Sequence, residues 1–448
     1  MDAAETRERV REMMPTVVDD LAGLVGHASV AFPGFPAEPV RAAAEATVAM
    51  FHRAGVPQAR LLDVDGAYPA VYADVPGPPG APTVLLYAHY DVQPAKREDG
   101  WTSDPFVLTE RGGRLYGRGA ADDKSGVVMH AAALRACGGV PPVGVRVVIE
   151  GEEETASRFD AFVGAHPELF RANLVIVADM GDLEVGRPVL TTTLRGEISA
   201  TVTVSTLPAP LHSGVFGGPA PDAMLALVRL LDRLYDEDGA VAVPGLRRFD
   251  WRGADWPEED YRRTSGLPAD VRLVGRGSVA TRLWSSPSLT VTGVDAPPVD
   301  QATNALVAHV RAKLSLRLAP GDDPVAAGRR LEQAIRDATP WGAHVAVDLG
   351  QPAPSFTAAT GGPGYAAARR ALADAFGAVP GEVGSGGSIP LLGHLAAAVP
   401  GAEFVLLGAE DAAQSRIHGV DESVDRGELE RMIVAETLTL RYLAENWR

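Results

Sequence analysis

A histidine and an aspartate follow a short apolar segment near position 90. His89 and Asp91 come just after the run Val84 to Tyr87, and their spacing places both side chains on one face of an extended chain. In such a pair the histidine can bind a metal ion while the carboxylate accepts the N–H of the other ring nitrogen. His-x-Asp alone is more often an ordinary strand end, so its meaning depends on the residues that join it.

A second acidic group lies in the segment LYGRGAADDKSG. Asp122 and Asp123 stand just before an apolar, helix-like stretch, where one carboxylate would act as an N-cap. Capping does not explain the second carboxylate. The glycines of this segment do not form a phosphate-binding P-loop, because the four-residue gap before Gly-Lys-Ser/Thr is missing.

Two further apolar segments also end in acidic residues. The strand-like run Val143 to Ile149 leads into EGEEE, and LVIVA leads to Asp179. By itself the run EGEEE is equally well explained as a solvated charged turn. Ligands of open α/β sheets bind beyond the carboxyl ends of the strands, so these strand ends predict one shared site. A histidine with several carboxylates suits Zn²⁺, Mn²⁺ or Co²⁺, and the single cysteine, Cys137, rules out a thiolate cluster.

Size and charge limit the class of protein. A chain of 448 residues that is 46% hydrophobic can bury a large core and exceeds the length at which one core usually divides, so we expect two domains. The net charge of −17 disfavours a broad nucleic-acid or anionic-membrane surface. The N-terminal segment lacks an apolar signal region and no long apolar run occurs, which favours a cytoplasmic protein.

The periodicity of the sequence indicates the elements that carry these residues. Helical spacing covers about Ala3 to Val25 and Glu38 to Arg53, and a further helix is predicted around Phe159 to Phe170. From Arg195 the pattern changes to the alternation EISATVTVST, which is typical of a half-exposed strand and marks a domain boundary. Residues 240–285 show no clear periodicity, and their role is left open.

Together these segments resemble the M20 family of metallopeptidases, in its dipeptidase or carnosinase-like branch. Each match is weak alone, but they occur in the family's order over essentially the whole chain. The matching segments are YAHYDVQP, WTSDPF, LYGRGAADDKSG, EGEEETAS, the strand before Asp179, LHSGVFGG, SLRLAPG, GGSIP and the late His418.

The resemblance implies a fold and a domain arrangement. The catalytic domain, residues 1–194 and 358–448, is expected to be α/β, with a mixed, mostly parallel sheet flanked by helices. Residues 195–357 are expected to form an inserted two-layer α+β domain that serves as a lid and as the contact of a homodimer.

The resemblance also implies a pair of metal ions in each subunit, usually zinc, with Mn²⁺ or Co²⁺ as alternatives. His89 and Asp179 would hold one ion, Glu154 and His418 the other, and Asp122 would bridge them.

Further roles follow for the neighbours of these ligands. Asp91 would orient the ring of His89, and Glu153 would be the general base that takes a proton from the hydroxide-forming water between the ions. The peptide bond from Asp122 to Asp123 is expected to be cis.

Other residues would contact the substrate. His212 would reach the metal site of the partner subunit and stabilise the oxyanion. Arg317 would bind the substrate carboxylate with its planar guanidinium, and Asn304, Gly387 and Ser388 would line the substrate site.

Three departures from the family's pattern affect the substrate-facing residues. Gly384-Ser385 replaces Arg-Glu, Pro210 replaces an aspartate before the lid histidine, and HGVDE replaces HSPNE around His418. Two substrate classes therefore stay open, dipeptides with a free carboxylate and N-acyl amino acids or similar amides. A binding module without catalysis is disfavoured because all expected ligands and the general base are present.

Overall fold

The chain divides into two compact units. The computed structural model describes residues 2–155, 157–387 and 389–447, without the side chain of Pro390. Unit 1 comprises Met1–Thr192, Ala358–Glu382 and Leu391–Arg448, and unit 2 comprises Thr193–Thr357 and Val383–Pro390. The predicted boundaries placed the segment 383–390 in the catalytic domain, but it groups with unit 2, where the Arg195 main-chain N–H donates to the Ser385 carbonyl oxygen (3.2 Å). The assignment of separate roles to two domains stays a prediction.

The described part of the chain contains helices and strands interspersed along the sequence. The helices are α1 (Ala3–Val25), α2 (Glu38–Arg53), α3 (Lys124–Ala136), α4 (Phe159–Ala165), α5 (Pro167–Phe170), α6 (Ser213–Phe216), α7 (Ala223–Asp232), α8 (Glu258–Ser265), α9 (Val279–Trp284), α10 (Pro324–Ala338), α11 (Pro363–Phe376), α12 (Pro390–Ala398) and α13 (Arg426–Asn446). The strands are β1 (Arg60–Leu62), β2 (Ala70–Val75), β3 (Thr83–His89), β4 (Thr109–Arg111), β5 (Arg114–Tyr116), β6 (Gly144–Glu150), β7 (Leu174–Val177), β8 (Gly181–Asp182), β9 (Val189–Leu194), β10 (Gly196–Ser205), β11 (Leu211–His212), β12 (Ser288–Asp295), β13 (Ala305–Leu306), β14 (His309–Leu318), β15 (His344–Leu349), β16 (Phe356–Thr357), β17 (Gly381–Ser385), β18 (Glu403–Leu406), β19 (Glu410–Asp411) and β20 (Ser423–Asp425).

The core of unit 1 is a mixed sheet in the order β1-β2-β6-β3-β7-β18-β9. The four neighbouring strands β6, β3, β7 and β18 are parallel, and β2 and β9 border them in antiparallel pairing. The central strands are apolar and buried along almost their whole length, as expected for parallel strands whose two faces are both covered. Helices α1, α3, α11 and α13 pack together in the same core. The predicted α/β class, with a mixed sheet flanked by helices, is confirmed.

The register of the central strands aligns their carboxyl ends. His89, the last residue of β3, pairs with Glu150, the last residue of β6. On the other side of β3, the Ala178 main-chain N–H donates to the Tyr87 carbonyl oxygen (2.9 Å), so the chain leaving β7 reaches Asp179 at the same edge. The sequence positions that carry polar groups are therefore neighbours in space.

The predicted helix from Phe159 to Phe170 is two helices. Helix α4 ends at Ala165 and α5 begins at Pro167, with His166 between them. Proline lacks the N–H that would continue the helical hydrogen bonding, but it is favourable at a first helical position. Pro167 therefore ends one helix and starts the next.

Unit 2 contains a four-stranded antiparallel sheet in the order β12-β14-β10-β15. Residues of β10 alternate between buried and half-buried, and the buried ones pack with helices α7 and α10. The segment 240–285 contains the short helices α8 and α9, and the rings of Trp251 and Trp284 meet edge to face at 5.3 Å. Its aperiodic sequence reflects this irregular backbone.

No helix in the described ranges is both long enough and apolar enough to cross a bilayer.

A buried hydrogen-bonded carboxyl group lies at the end of β6. Glu150 is 1% exposed, and it accepts hydrogen bonds from the Tyr87 hydroxyl (2.8 Å) and the Ser157 hydroxyl. Burial, with the nearby charges of Asp91 and Glu153, raises the pKa of Glu150 to about 8, although the two hydrogen bonds act in the opposite direction. The folded chain thus holds a proton on Glu150 that the unfolded chain releases near the ordinary value of 4.5.

This difference predicts a pH-dependent stability. The folded state binds one more proton than the unfolded state between about pH 4.5 and 8, so the contribution of Glu150 is fully present at low pH and is lost as pH rises through 8. The free energy of unfolding would change by at most roughly 4 to 5 kcal/mol through this group. We expect metal-free Glu150→Gln to show a flatter decline of unfolding free energy with pH in urea titrations. Glu184→Gln, at a half-exposed carboxylate, is the control. Equal slopes for Glu150→Gln and the unsubstituted chain would contradict the prediction.

Candidate metal centre

His89 is fully buried and its ring is fixed from one side. The ring Nδ1 lies 3.1 Å from the main-chain oxygen of Asp91, an arrangement in which an Nδ1–H donates to that oxygen and the Nε2 of a neutral ring is left for a metal ion. The Nε2 atom faces Asp122 Oδ1 at 3.0 Å and Asp179 Oδ1 at 3.9 Å, yet it has no hydrogen-bond partner within the described chain. An imidazole held this way presents one unused donor atom to a group of carboxylates.

Asp122 lies between two imidazoles. Its Oδ1 is 3.0 Å from His89 Nε2 and its Oδ2 is 2.9 Å from His418 Nε2. The peptide bond from Asp122 to Asp123 is cis, as expected. Burial acts to raise the pKa of Asp122, but the contacts with His418 and His89 outweigh it and hold the pKa well below its ordinary value. Each oxygen of this carboxylate thus faces a different histidine, as a bridging ligand requires.

Glu422 positions the turn that carries Asp122, a role that sequence reasoning missed. The Oε1 atom of Glu422 accepts the main-chain N–H groups of Ala121 (3.0 Å) and Asp122 (3.1 Å). Its other oxygen pairs with the buried Arg118 guanidinium. The available signal was the position of Glu422 four residues after His418, in the motif HGVDE.

Asp91 has a different main contact from the one predicted. Its carboxylate accepts the main-chain N–H groups of Glu153 (3.1 Å) and Glu154 (3.1 Å), while it lies 3.5 Å from the Nδ1 of His89. The ring is closer to the main-chain oxygen of Asp91 than to the carboxylate. Asp91 therefore connects the end of β3 to the acidic turn after β6, and orients both the histidine and the two glutamates.

Glu154 and His418 form the other side of the site. The Oε2 atom of Glu154 is 3.2 Å from His418 Nε2 and accepts a hydrogen bond from Gln93 (2.6 Å). The His418 side chain is 53% exposed and its φ is +61°, in a loop where Arg416 and Asp421 also have positive φ. Hydrogen bonds to Asp122 and Glu154 raise the pKa of His418 to about 10, so a metal ion binding there would displace a proton.

The potential ligand atoms form three overlapping groups, and within each group all of them lie within 4.8 Å of one another. These groups are His89, Asp123 and Asp179; Asp122, Glu154 and His418; and Asp122, Asp179 and Glu410. All five sequence-predicted metal ligands occur in these groups. Asp123 and Glu410 were not predicted as ligands.

The donor set fits divalent cations. Burial raises the pKa of Asp179 well above its ordinary range and that of Asp123 to about 7, which shows how unfavourable these charges are without a counter-charge. The unused, fully buried Nε2 of His89 points at the same carboxylates. Nitrogen and oxygen donors without thiolate are typical of zinc and neighbouring divalent ions. The side chains present are thus those that a cation site needs.

The other described residues of the prediction belong to unit 2. His212 is exposed, and its Nδ1 accepts the Gly214 main-chain N–H (3.1 Å). In the pairing of β11 with β13, His212 lies opposite Ala305, the residue after Asn304. Arg317 pairs with Glu197 on the neighbouring strand (3.0 Å). The Gly387 main-chain N–H donates to the Ser385 hydroxyl (3.1 Å), and Ser388 lies outside the described residues. Their roles stay predictions.

Comparison with known proteins identifies the class. Residues 85–442 match the model of the peptidase family M20/M25/M40. A cysteinylglycine-S-conjugate dipeptidase of Corynebacterium striatum is 38% identical over 94% of each chain, and a Beta-Ala-His dipeptidase of Rattus norvegicus is 32% identical over 72% of this chain and 70% of the other. Human carnosine dipeptidase 1 superposes with a TM-score of 0.81 at 25% identity, covering 99% of both chains.

The chain belongs to peptidase family M20. It is a metal-dependent hydrolase of the dipeptidase kind, as the sequence motifs predicted. The dipeptidase Dug1p of Saccharomyces cerevisiae, at 21% identity and a TM-score of 0.83 over 100% of this chain and 99% of its own, has the same fold.

The geometry of Asp122 predicts unequal effects of two ligand substitutions. Asp122→Asn should weaken cation binding beside both histidines, because one carboxylate oxygen faces each of them. Glu154→Gln should weaken only cation binding beside His418, because its carboxylate contacts that histidine. Calorimetric titration of the metal-free variants with Co²⁺ measures both affinities. Cation binding to Asp122→Asn with unchanged affinity would contradict the bridging role that the sequence motifs predict.

Proposed function

We propose that this protein hydrolyses the amide bond of dipeptides with a free carboxylate, using two divalent cations, usually zinc, in each subunit. The observation that carries the proposal is the Asp122 carboxylate, with one oxygen 3.0 Å from His89 and the other 2.9 Å from His418. A carboxylate between two imidazoles is suited to hold two cations side by side. The names of the relatives support dipeptides as the substrate class.

The proposed ligands divide into two sets that share one member. His89 and Asp179 would hold one cation, Glu154 and His418 the other, and Asp122 would bridge them. Bound together, two such cations lower the pKa of a water molecule, polarise the scissile carbonyl group and neutralise the developing negative charge.

Glu153 is the proposed general base. Its main-chain N–H is held by Asp91, and its Oε2 lies 4.0 Å from His89 Nε2, at the border of the ligand group. Burial raises the pKa of Glu153 to about 7, although the neighbouring His89 lowers it. Within the described residues its carboxylate accepts no hydrogen bond, whereas that of Glu154 is bound by Gln93 and His418. Glu153 is therefore the glutamate free to move a proton.

The proton path follows from this position. Glu153 takes a proton from the attacking water as the new C–O bond forms. It then delivers that proton to the amide nitrogen, which leaves as an amine when the C–N bond breaks. Asp91 keeps Glu153 and Glu154 in their separate roles because it binds both of their N–H groups.

Residues of unit 2 are proposed to bind the substrate. Arg317 would bind the substrate carboxylate in place of its present partner Glu197, and His212 of a partner subunit would stabilise the oxyanion in a homodimer. Asn304, Gly387 and Ser388 would make further contacts. These assignments rest on the family resemblance.

The role of Glu153 predicts a loss of rate without a loss of metal. Glu153→Gln should lower kcat roughly 10²- to 10⁴-fold, because it deletes the proton carrier and leaves the proposed ligands unchanged. Activity assays combined with elemental analysis of bound metal test this. Glu152→Gln is the matched control, since Glu152 lies in the same acidic run but accepts the Tyr68 N–H (3.1 Å). A Glu153→Gln variant of normal kcat would exclude the proposed base.

The substrate class predicts a preference that can be measured directly. Dipeptides should be hydrolysed faster than the matching N-acetyl amino acids, and a chelator should abolish the activity until Zn²⁺, Mn²⁺ or Co²⁺ is restored. A substrate panel measured before and after chelation tests both points. Faster hydrolysis of the acetylated series would favour a deacylase, and activity that resists chelation would contradict the metal requirement.

A further inference from the structure

Glu410 is a buried acid in unit 1 whose position the predicted ligand set does not explain. It is 8% exposed and begins β19, which pairs in parallel with β8, with Glu410 beside Gly181. A side chain on Gly181 would place its Cβ 2.4 Å from the Cβ of Glu410, so glycine permits this close approach. The approach brings a carboxylate oxygen of Glu410 within 4.8 Å of ligand atoms of Asp122 and Asp179.

Neighbouring buried acids have protein partners, and Glu410 does not. Asp411 pairs with the Arg114 guanidinium (2.7 Å) and accepts the Gln414 N–H (2.8 Å). Glu422 pairs with Arg118 and accepts two main-chain N–H groups. In the described part of the chain, the Glu410 carboxylate takes part in no hydrogen bond or ion pair. Its negative charge therefore lacks the donors that compensate the other two.

A second observation points to a cation in the same place. The Nε2 of His89 is fully buried and without a hydrogen-bond partner in the described residues. It faces Asp122 and Asp179, the two acids whose oxygens lie within 4.8 Å of a Glu410 carboxylate oxygen. An unused imidazole nitrogen and an uncompensated carboxylate thus border the same pair of acids.

We infer that Glu410 is an additional ligand of the cation held by His89 and Asp179. The inference rests on the proposed function, since it assigns a residue to one of the two proposed ions. That ion would have one nitrogen and three carboxylate ligands, whereas the ion on the His418 side would have one nitrogen and two carboxylates, counting Asp122 for both.

This asymmetry has a chemical consequence. Additional oxygen ligands favour harder ions and higher coordination numbers, so the His89 side should accept Mn²⁺ more readily than the His418 side. A cation at this position would supply the positive charge that the Glu410 carboxylate otherwise lacks.

Two substitutions test the inference. Glu410→Gln keeps the size and removes the charge, and Glu410→Met replaces the acid by an apolar side chain of similar length. Each metal-free variant is titrated with Mn²⁺, Co²⁺ and Zn²⁺ by calorimetry, and the visible spectrum of bound Co²⁺ reports the number of ligands. Glu152→Gln is again the control, because its carboxylate accepts a main-chain N–H outside the ligand groups.

We expect both variants to lower the affinity for one of the two ions by roughly 10- to 100-fold or more, most strongly for Mn²⁺. The visible spectrum of bound Co²⁺ should change as well. The melting temperature of the metal-free variants should equal or exceed that of the unsubstituted chain, because an unfavourable buried acid is removed. Unchanged affinities and spectra, or a lower melting temperature with normal metal binding, would overturn the inference and make Glu410 a structural residue. Failure of the unsubstituted chain to bind two ions would instead contradict the proposed function.

Discussion

The site depends on the placement of several carboxylates within a few ångströms of one another, in a largely buried position. Such charges are unfavourable unless each has a positive or hydrogen-bonding partner. The protein meets this condition in two ways. Glu422 and Asp91 take main-chain N–H groups and so fix the turns of Asp122 and of Glu153 with Glu154. Asp122 and Asp179 face His89, and a bound cation would supply the positive charge that balances their carboxylates.

The sheet explains why residues so distant in sequence can meet. Parallel strands align their carboxyl ends, so β3, β6 and β7 deliver His89, the acidic turn and Asp179 to one edge. The turn before α3 adds Asp122, and the loop after β19 adds His418. His89 is thus the last residue of a strand, whereas the acidic side chains lie in turns next to strand and helix ends and His418 lies in a loop.

Much of this arrangement could be predicted from the sequence. Helices α1 and α2 have the predicted limits because their apolar residues repeat with helical spacing, and the strand before His89 was recognisable by its short apolar run. The family motifs supplied the five candidate ligands, which the structure brings close together, and the cis bond at Asp122. The contacts of Glu410 and Glu422 could not be predicted, because they depend on how β19 and β20 lie beside distant turns. The Nδ1 atom of His89 lies closer to the main-chain oxygen of Asp91 than to its carboxylate. This local geometry cannot be predicted from the hydrophobic periodicity of the sequence.

The two histidines differ in their access to solvent. His89 is buried at the end of a central strand, whereas the His418 side chain is 53% exposed in a loop with three residues of positive φ. The proposed pair of ions would therefore exchange with the solution at different rates, and the ion beside His418 would dissociate and rebind first. In metal-poor conditions such a pair would pass through a singly loaded form, in which the buried position is filled and the exposed one is vacant.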